Sequence, residues 1–264
     1  SRPARSASWL MNPLAETEVR CLEYAALKAW PALEQKEYGG WLLRFSRGYT
    51  KRANSINPLG AGALANAEMI ACCEALYRRQ GLPPIFRLTP LTPADLDLAL
   101  AARGYALLDP TAVMTLDLST WQAPALPLAP CRELTLSAWF AHYCQLSGAD
   151  PGGQAIHFQM LMAISTARLC ALVEAKGHDG APGAAACGLG VLDEGLFGLF
   201  DLLTAPALRR RGYGTALVMG MLAWAQAQGA RQAYLQVMLN NGAARALYER
   251  MGFREAYRYW YRVS

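Results

Sequence analysis

The chain has 264 residues, of which 53% are hydrophobic and 17% are charged. This composition excludes an intrinsically disordered chain, because such chains combine low hydrophobicity with high net charge. The net charge of +5 is small for this length and indicates a solvated surface rather than a nucleic-acid-binding face. The length suits one large domain or two ordinary ones.

Seven cysteines, an odd number, lack the paired spacing and the neighbouring histidines of a metal site. They are predicted to be reduced and mostly buried, and no metal is expected. No apolar run reaches the roughly 18 residues that a membrane helix needs. The basic start of the sequence lacks the apolar segment of a secretory signal. We therefore expect no membrane contact and a cytoplasmic location.

In the first half, hydrophobic periodicity and turn residues predict three helices and four strands. In chain order these are a helix over 14–30, strands over 41–45 and 49–57, a helix over 65–79, a strand over 85–88, a helix over 93–103 and a strand over 113–118. Residues 119–130 carry three prolines and are predicted to form an inter-domain linker.

The second half shows the same kinds of element. The predicted elements are helices over 136–146 and 155–166, strands over 169–175, 184–192 and 196–203, a helix over 215–228, a strand over 233–239, a helix over 243–251 and a strand over 257–263. A glycine-rich loop is expected over 176–183, and it includes an exposed histidine, His178.

The two halves repeat in sequence. Gly81 corresponds to Gly229 and Gly104 to Gly252, so the offset is 229 − 81 = 252 − 104 = 148 residues. Glycine and proline set the geometry of the chain, so their agreement argues for two copies of one unit. The predicted domains are therefore 12–118 and 131–264, joined by the linker at 119–130.

The copies differ at one stretch, Arg209-Arg210-Arg211-Gly212-Tyr213-Gly214-Thr215, where a predicted strand turns into a helix. The free backbone amides and the dipole of a helix N-terminus bind phosphate groups. Residues 61–66, opposite 209–214 in the repeat, lack this pattern, so one phosphate site per chain is expected. A dinucleotide site is the competing interpretation, but it needs a complete G-x-G-x-x-G, and Leu217 stands at the last position.

The C-terminal half contains three motifs in order, namely Arg209-x-x-Gly212-x-Gly214, Asn241-x-x-Ala244-x-x-Leu247-Tyr248 and Gly252-Phe253. On these motifs it resembles the GNAT superfamily of acetyl-CoA-dependent N-acetyltransferases, and the whole chain resembles tandem GNAT proteins with a degenerate N-terminal unit. The fold that this implies is α/β (α+β), with two GNAT-like units that each contain a mixed, mostly antiparallel twisted sheet flanked by helices.

The resemblance also implies a donor site for acetyl-CoA in the C-terminal half. Its pyrophosphate would be held by the turn at 209–215, and its pantetheine arm would enter between two splayed strands. That arm would pair with the backbone of the strand end and contact the start of the next helix. The residues implied are Leu202, Leu203, Thr204, Arg209, Arg210, Arg211, Gly212, Tyr213, Gly214, Thr215, Asn241 and Ala244. Asn241 also suits a helix cap, and both roles stay open.

Two residues are expected to carry the chemistry of direct transfer to a primary amine. The resemblance places Tyr248 as the acid that protonates the departing thiolate, and packing against the sheet is its alternative role. Asp201, the carboxylate in the strand before the turn, suits the base, although a buried structural carboxylate is equally consistent with the sequence. His142 and His157 fall on helices near the expected acceptor site, where packing explains either one.

The acceptor is expected to be a small-molecule or peptide amine bound between the halves. Arg52, Asn54 and Asn57 form an unusually polar stretch that either lines this cleft or satisfies its own backbone. A monomer or homodimer is expected, and no nucleic-acid partner. A non-catalytic acyl-CoA-binding or regulatory module is the alternative function, and the arginine cluster at 209–211 leaves nucleic-acid binding as a third.

Overall fold

The computed structural model describes residues 14–59, 67–123, 129–176 and 181–264. Within these ranges the chain forms seven α-helices and eleven β-strands. The helices are Glu16–Ala29 (α1), Ala67–Arg79 (α2), Leu96–Ala102 (α3), Leu136–Ser147 (α4), Ala155–Met162 (α5), Tyr213–Ala227 (α6) and Gly242–Arg250 (α7). The strands are Glu34–Tyr38 (β1), Trp41–Phe45 (β2), Ile56–Pro58 (β3), Ile85–Leu88 (β4), Ala106–Asp117 (β5), Cys131–Glu133 (β6), Ala167–Lys176 (β7), Pro182–Asp193 (β8), Leu196–Thr204 (β9), Gln232–Met238 (β10) and Arg254–Val263 (β11).

These strands form one sheet in the order β1-β2-β3-β4-β11-β5-β10-β9-β8-β7-β6. Strands β3 and β4 are parallel, as are β9 and β10, and the other neighbouring pairs are antiparallel. Helices flank the sheet. The predicted fold class, α/β with a mixed and mostly antiparallel sheet, is confirmed.

The last strand of each half lies beside strands of the other half. Strand β11 pairs with both β4 and β5, and β5 pairs in turn with β10. The 148-residue offset reappears in the structure, because β5 begins at Ala106 and β11 at Arg254 (254 − 106 = 148). The exchange of final strands makes the sheet continuous across the two halves, and the domain boundaries stay a prediction.

The halves also share a hydrophobic core on one face of the sheet. Helix α1 packs against β8 and β9, so Trp30 of the first half stacks on Phe200 of the second at 5.7 Å between ring centroids. Lys28 forms an ion pair of 2.8 Å with Asp193, again across the halves. These contacts bring the end of α1 to the surface of β9, where the candidate site lies.

Beneath this core a buried charge network joins three elements. Glu23 of α1 forms an ion pair with Arg87 of β4, and the two side chains are at most 3% exposed. The hydroxyl of Tyr257, on β11, donates to Oε1 of Glu23 at 2.6 Å, and the Arg87 guanidinium lies 3.8 Å from the ring centre of Tyr259. A buried pair of opposite charges costs far less than either charge buried alone.

Several predicted elements differ from the structure. The strand predicted over 49–57 is wrong, because a 3₁₀ turn at Lys51–Ala53 precedes the short strand β3. The side-chain Oδ1 of Asn54 accepts from the amides of Ser46 and Gly48 at 2.7 and 2.9 Å and closes this loop. Strand β1 was not predicted, because all of its residues are exposed and most are polar, so it has no apolar alternation. Strand β5 begins earlier than predicted, because its first residues pair with β11.

Part of the predicted linker and part of the glycine-rich loop, including His178, lie outside the described residues, as do residues 61–66. None of the described helices has the length and hydropathy to span a bilayer. All seven cysteines are free thiols.

Candidate active site

Strands β9 and β10 separate partway along their length. They pair from Leu196–Leu199 against Gln232–Leu235, and no further pairing joins them within the described residues. On its other edge β9 contains a β-bulge, since Leu203 pairs with Cys187 and Phe200 with Leu189. Two residues of β9 therefore face one residue of β8, which bends the strand. The backbone edge of β9 beyond Leu199 is left open toward β10.

The bulge has a left-handed residue at its centre. Asp201 has a φ of +48°, a conformation that Asp and Asn adopt more readily than most residues. Gly188 lies opposite the bulge, and a Cβ there would come within 2.6 Å of Leu202. The glycine thus leaves room for the bulge, and the bulge places the carboxylate of Asp201 at the mouth of the gap.

A cavity of about 530 Å³ occupies the gap between the two strands. Both halves of the chain contribute to it. The first half supplies Trp30, Tyr49, Thr50 and Arg52, and the second half supplies residues of β9, β10 and α7, including Asp201, Leu202, Gln236, Asn241, Ala244 and Tyr248. The site is therefore continuous from the end of α1 to the start of α7.

The turn after β9 presents free backbone amides. Pro206 begins a 3₁₀ turn, and both Arg210 (φ +60°) and Gly212 (φ +87°) are left-handed, which lets the chain enter α6 sharply. Among the described residues, none accepts a hydrogen bond from the backbone amides of residues 210–215, and the first bond of the helix runs from the Ala216 amide to the Gly212 carbonyl at 2.9 Å. Unpaired amides at a helix N-terminus are the kind of donors that bind anions in proteins.

Side chains around the turn keep the approach to these amides open. Gly214 packs closely beneath β9, because a Cβ on it would lie 3.1 Å from the Thr204 hydroxyl oxygen. Arg209 donates from Nε to the Thr204 carbonyl at 3.4 Å. Arg209, Arg210 and Arg211 are all exposed, and the turn residues Tyr213 and Thr215 are half-buried. The arginines add positive charge around the amides without being sequestered by a carboxylate in the described residues.

Tyr248 lies on α7 at the cavity wall. Its side chain is 8% exposed, its ring meets Phe253 edge-on at 6.0 Å, and burial raises the pKa of its phenol to about 12. A phenol with this pKa stays protonated at neutral pH. The packing role and the position in the cavity are both observed, so they do not exclude each other.

Asn241 and Ala244 form the start of α7. The Oδ1 atom of Asn241 accepts from the Ala244 amide at 3.2 Å, which is the helix-capping role that its residue type favours. Both residues also line the cavity. The cap fixes the side-chain carbonyl, so it is the amide nitrogen of Asn241 that remains for another partner.

Asp201 contacts His157, one of the two histidines expected near the acceptor site, although the sequence did not pair the two residues. Nε2 of His157, from α5, lies 2.9 Å from Oδ2 of Asp201, although the angles fall outside those of an aligned hydrogen bond. The imidazole is fully buried among four aromatic rings whose centroids lie 4.9–5.5 Å away, those of Trp30, Tyr49, Phe140 and Tyr143. No periodicity or spacing pairs His157 with Asp201, because only the stacking of α5 on β9 brings them together.

Of the predicted acceptor residues, the structure brings one into the cavity. Arg52 lies in the cavity wall, with its guanidinium 5.5 Å from the ring centre of Trp30. Asn54 and Asn57 do not line the cavity. Asn54 donates to the Thr50 carbonyl at 2.8 Å, and Asn57 to the Ser55 carbonyl at 2.8 Å, so both amides serve their own segment. No cluster of metal-ligating side chains is found in the part of the chain that the structure describes.

A split sheet edge that ends in a turn with unpaired amides, within this mixed sheet, is the arrangement expected of an N-acetyltransferase of the GNAT type. The chain belongs to the family described as "Probable histone acetyltransferase Rv0428c C-terminal", whose model matches residues 16–262. It is 30% identical over 254 residues to the uncharacterized N-acetyltransferase YobR of Bacillus subtilis, which covers 94% of this chain and 99% of that protein. The predicted superfamily and the predicted acyltransferase activity are confirmed.

Solved structures show the same fold. A GCN5-related N-acetyltransferase from Kribbella flavida superposes with a TM-score of 0.65, at 13% identity over 95% of both chains. A tandem GNAT protein from the clavulanic acid biosynthesis pathway superposes with a TM-score of 0.64, at 14% identity over 98% of this chain and 91% of that one.

Proposed function

We propose that this enzyme transfers the acetyl group of acetyl-CoA directly to a primary amine, with one donor site per chain. The proposal rests on one observation. The unpaired edge of β9 is followed along the chain by the six unpaired amides at residues 210–215. An extended pantetheine arm needs unpaired backbone groups, and a pyrophosphate needs converging donors. The cleft offers unpaired backbone groups along β9 and, after them, the unpaired amides of the turn.

The donor would be held mainly by backbone. The amides of Leu202, Leu203 and Thr204 and their carbonyls would pair with the arm. The turn from Arg209 to Thr215, through Gly212 and Gly214, would hold the pyrophosphate. Asn241 and Ala244 would border the arm on the side of α7. A bound donor would supply an acetyl thioester in the cavity that Asp201 and Tyr248 both line.

Asp201 and Tyr248 would manage the two protons of the reaction. An amine must lose a proton to attack the thioester carbonyl, and Asp201 would accept it. As the new C–N bond forms and the C–S bond breaks, the hydroxyl of Tyr248 would give its proton to the sulfur. The raised pKa of Tyr248 keeps that proton in place until the thiolate forms. His157 would act as a positioning residue that holds the Asp201 carboxylate toward the cavity.

We further propose that the chain consists of two GNAT-like units, 12–118 and 131–264, with the donor turn in the second unit only. The matching element starts at Ala106 and Arg254 support this arrangement, as does the likeness to a tandem GNAT protein. A small-molecule or peptide amine acceptor, a cytoplasmic location and a monomeric or homodimeric state are part of the same proposal.

Thermal unfolding with and without acetyl-CoA tests the donor assignment first. Acetyl-CoA at about 100 times its dissociation constant should stabilise the protein by roughly 2.7 kcal/mol. Release of CoA thiol across a panel of amines then tests transfer. Stabilisation without turnover of any amine would favour the non-catalytic acyl-CoA-binding alternative. No stabilisation by any acyl-CoA would overturn the proposal, and salt-sensitive binding to DNA or RNA would favour the nucleic-acid alternative.

A further inference from the structure

The cavity contains an arginine that has no carboxylate partner. Nε of Arg52 is buried and makes no hydrogen bond, and the guanidinium forms no ion pair within the described residues. The residue as a whole is half-buried and lines the cavity, so its charged group borders the space where a ligand would lie. A guanidinium at a cavity wall with no carboxylate beside it is suited to bind an anion that enters the cavity.

The position of Arg52 is fixed by its neighbours. Its backbone carbonyl accepts from Nη1 of Arg44 at 2.8 Å, and Arg44 is itself fully buried. Its guanidinium lies over the ring of Trp30, which in turn stacks on Phe200. A planar guanidinium held against an aromatic ring presents its edge in one direction, which suits bidentate recognition of a carboxylate.

Arg52 is placed away from the expected phosphate site. It borders the cavity beside Trp30, which stacks on Phe200 at the point where β9 and β10 begin to separate. The free amides lie past the other end of β9, beyond Pro206. Arg52 thus faces the acceptor side of the cavity rather than the pyrophosphate side.

A negatively charged side chain, that of Asp201, lines the same cavity as Arg52. Asp201 and Arg52 both line it, yet they form no direct ion pair. Burial lowers the pKa of Arg52, but the neighbouring Tyr259 and Tyr261, with a smaller contribution from Asp201, leave that pKa above its ordinary value. Because Arg52 and Asp201 line one cavity without pairing, a small molecule bound there beside Trp30 and Tyr49 can contact both.

We infer that the acceptor is an aminocarboxylate, a molecule that carries a carboxylate close to its reactive amine. Arg52 binds the carboxylate, and Asp201 receives the ammonium group and then its proton. This inference rests on the proposed function, because it names the class of amine that the same site accepts. It excludes an internal lysine of a folded protein, since such a side chain has no carboxylate at its amine.

The test compares matched acceptors that differ in charge alone. The proteinogenic L-amino acids, β-alanine and 4-aminobutyrate are assayed by CoA thiol release, each beside its carboxamide. For the best acceptor we expect kcat/KM for the carboxylate to exceed that for the carboxamide by at least about 10-fold, because a site built to pair with one group rejects its analogue. This comparison needs no variant.

Arg52→Gln should bring that ratio close to one, and Arg52→Lys should keep part of it. Arg79→Gln is the matched control, because Arg79 is exposed at the end of α2, away from the cavity, and should keep the full ratio. An equal rate for carboxylate and carboxamide would overturn the inference, as would a preference that survives Arg52→Gln. Acetyl-CoA binding without turnover of any aminocarboxylate would also contradict it. Failure of the proposed function is distinct, since no amine of any class would then be acetylated, including amines that carry no carboxylate.

Discussion

Substitution of Gly214 should affect protein stability and donor binding differently. It lies on the first turn of α6, and a Cβ there would lie 3.1 Å from the Thr204 hydroxyl oxygen and 3.9 Å from Leu247. Both contacts are to side-chain atoms, so a shift of a few tenths of an ångström accommodates a methyl group. Alanine is favoured over glycine inside a helix by about 0.8–1.0 kcal/mol. We expect Gly214→Ala to leave the free energy of unfolding unchanged or to raise it by up to about 1 kcal/mol.

The same methyl group should weaken acetyl-CoA binding. It would stand among the amides of residues 210–215, where the pyrophosphate has to approach closely. Loss of one hydrogen bond to a charged group costs about 1.5–3 kcal/mol. We therefore expect the dissociation constant to rise about 10- to 100-fold, since each 1.4 kcal/mol is about tenfold. Titration calorimetry with acetyl-CoA measures this change, and urea unfolding measures stability.

Two glycine variants provide controls. Gly212→Ala introduces a side chain at a φ of +87° and should lower stability by about 1–2 kcal/mol in addition to weakening binding. Gly229→Ala has the same backbone strain, at a φ of +85°, with nothing near its new Cβ. It lies at the far end of α6 and should lose stability while binding acetyl-CoA normally. An unchanged dissociation constant in Gly214→Ala would refute the assignment of the turn.

Three further variants test the rest of the site and the fold. Tyr248→Phe should lower kcat by about 10²-fold or more with acetyl-CoA affinity nearly unchanged, and equal turnover would remove Tyr248 from the mechanism. Burial raises the pKa of Tyr248 to about 12 in the folded state, whereas the phenol of the unfolded chain titrates near 10. The stability linked to this difference is fully present below pH 10 and is lost between pH 10 and 12. Urea unfolding should therefore show the wild type losing up to about 3 kcal/mol relative to Tyr248→Phe over that range. Asp201→Asn should fold normally, because Asn also tolerates the left-handed backbone at this position. Turnover at neutral pH should fall about 10²-fold, and full activity would instead assign the carboxylate a structural role. Glu23→Gln leaves Arg87 buried without a charged partner and should cost about 3–5 kcal/mol in urea unfolding, whereas a loss within error would contradict the buried pair.

Sequence reasoning succeeded where local chemistry determines the structure. Trp41–Phe45 and Ile85–Leu88 were predicted with the bounds that the structure has, because short apolar runs between turn residues favour buried strands. The turn at 209–215 was predictable for the same reason, since Gly212 and the helix after it are set by neighbouring residues. The turn can therefore be inferred from sequence without knowledge of the sheet.

The rest depended on contacts between distant segments. The exchange of β5 and β11 joins residues from opposite halves, and nothing within either strand specifies its partner. His157 lies 44 residues from Asp201 in sequence (201 − 157 = 44), so no local pattern pairs them. Asn54 is another example. The polar stretch around it was consistent with lining the cleft or with satisfying its own segment, and only the folded loop shows its hydrogen bonds to the amides of Ser46 and Gly48.

The central claim is that the amides of residues 210–215 hold the donor, and hydrogen exchange measures those amides directly. Without an acceptor in the described residues they should exchange rapidly in the free protein. Saturating acetyl-CoA should slow exchange in a peptide covering 209–216 by at least about tenfold, with little change in the first turn of α4 at residues 136–138. Binding of acetyl-CoA with no protection of residues 210–215 would contradict the account.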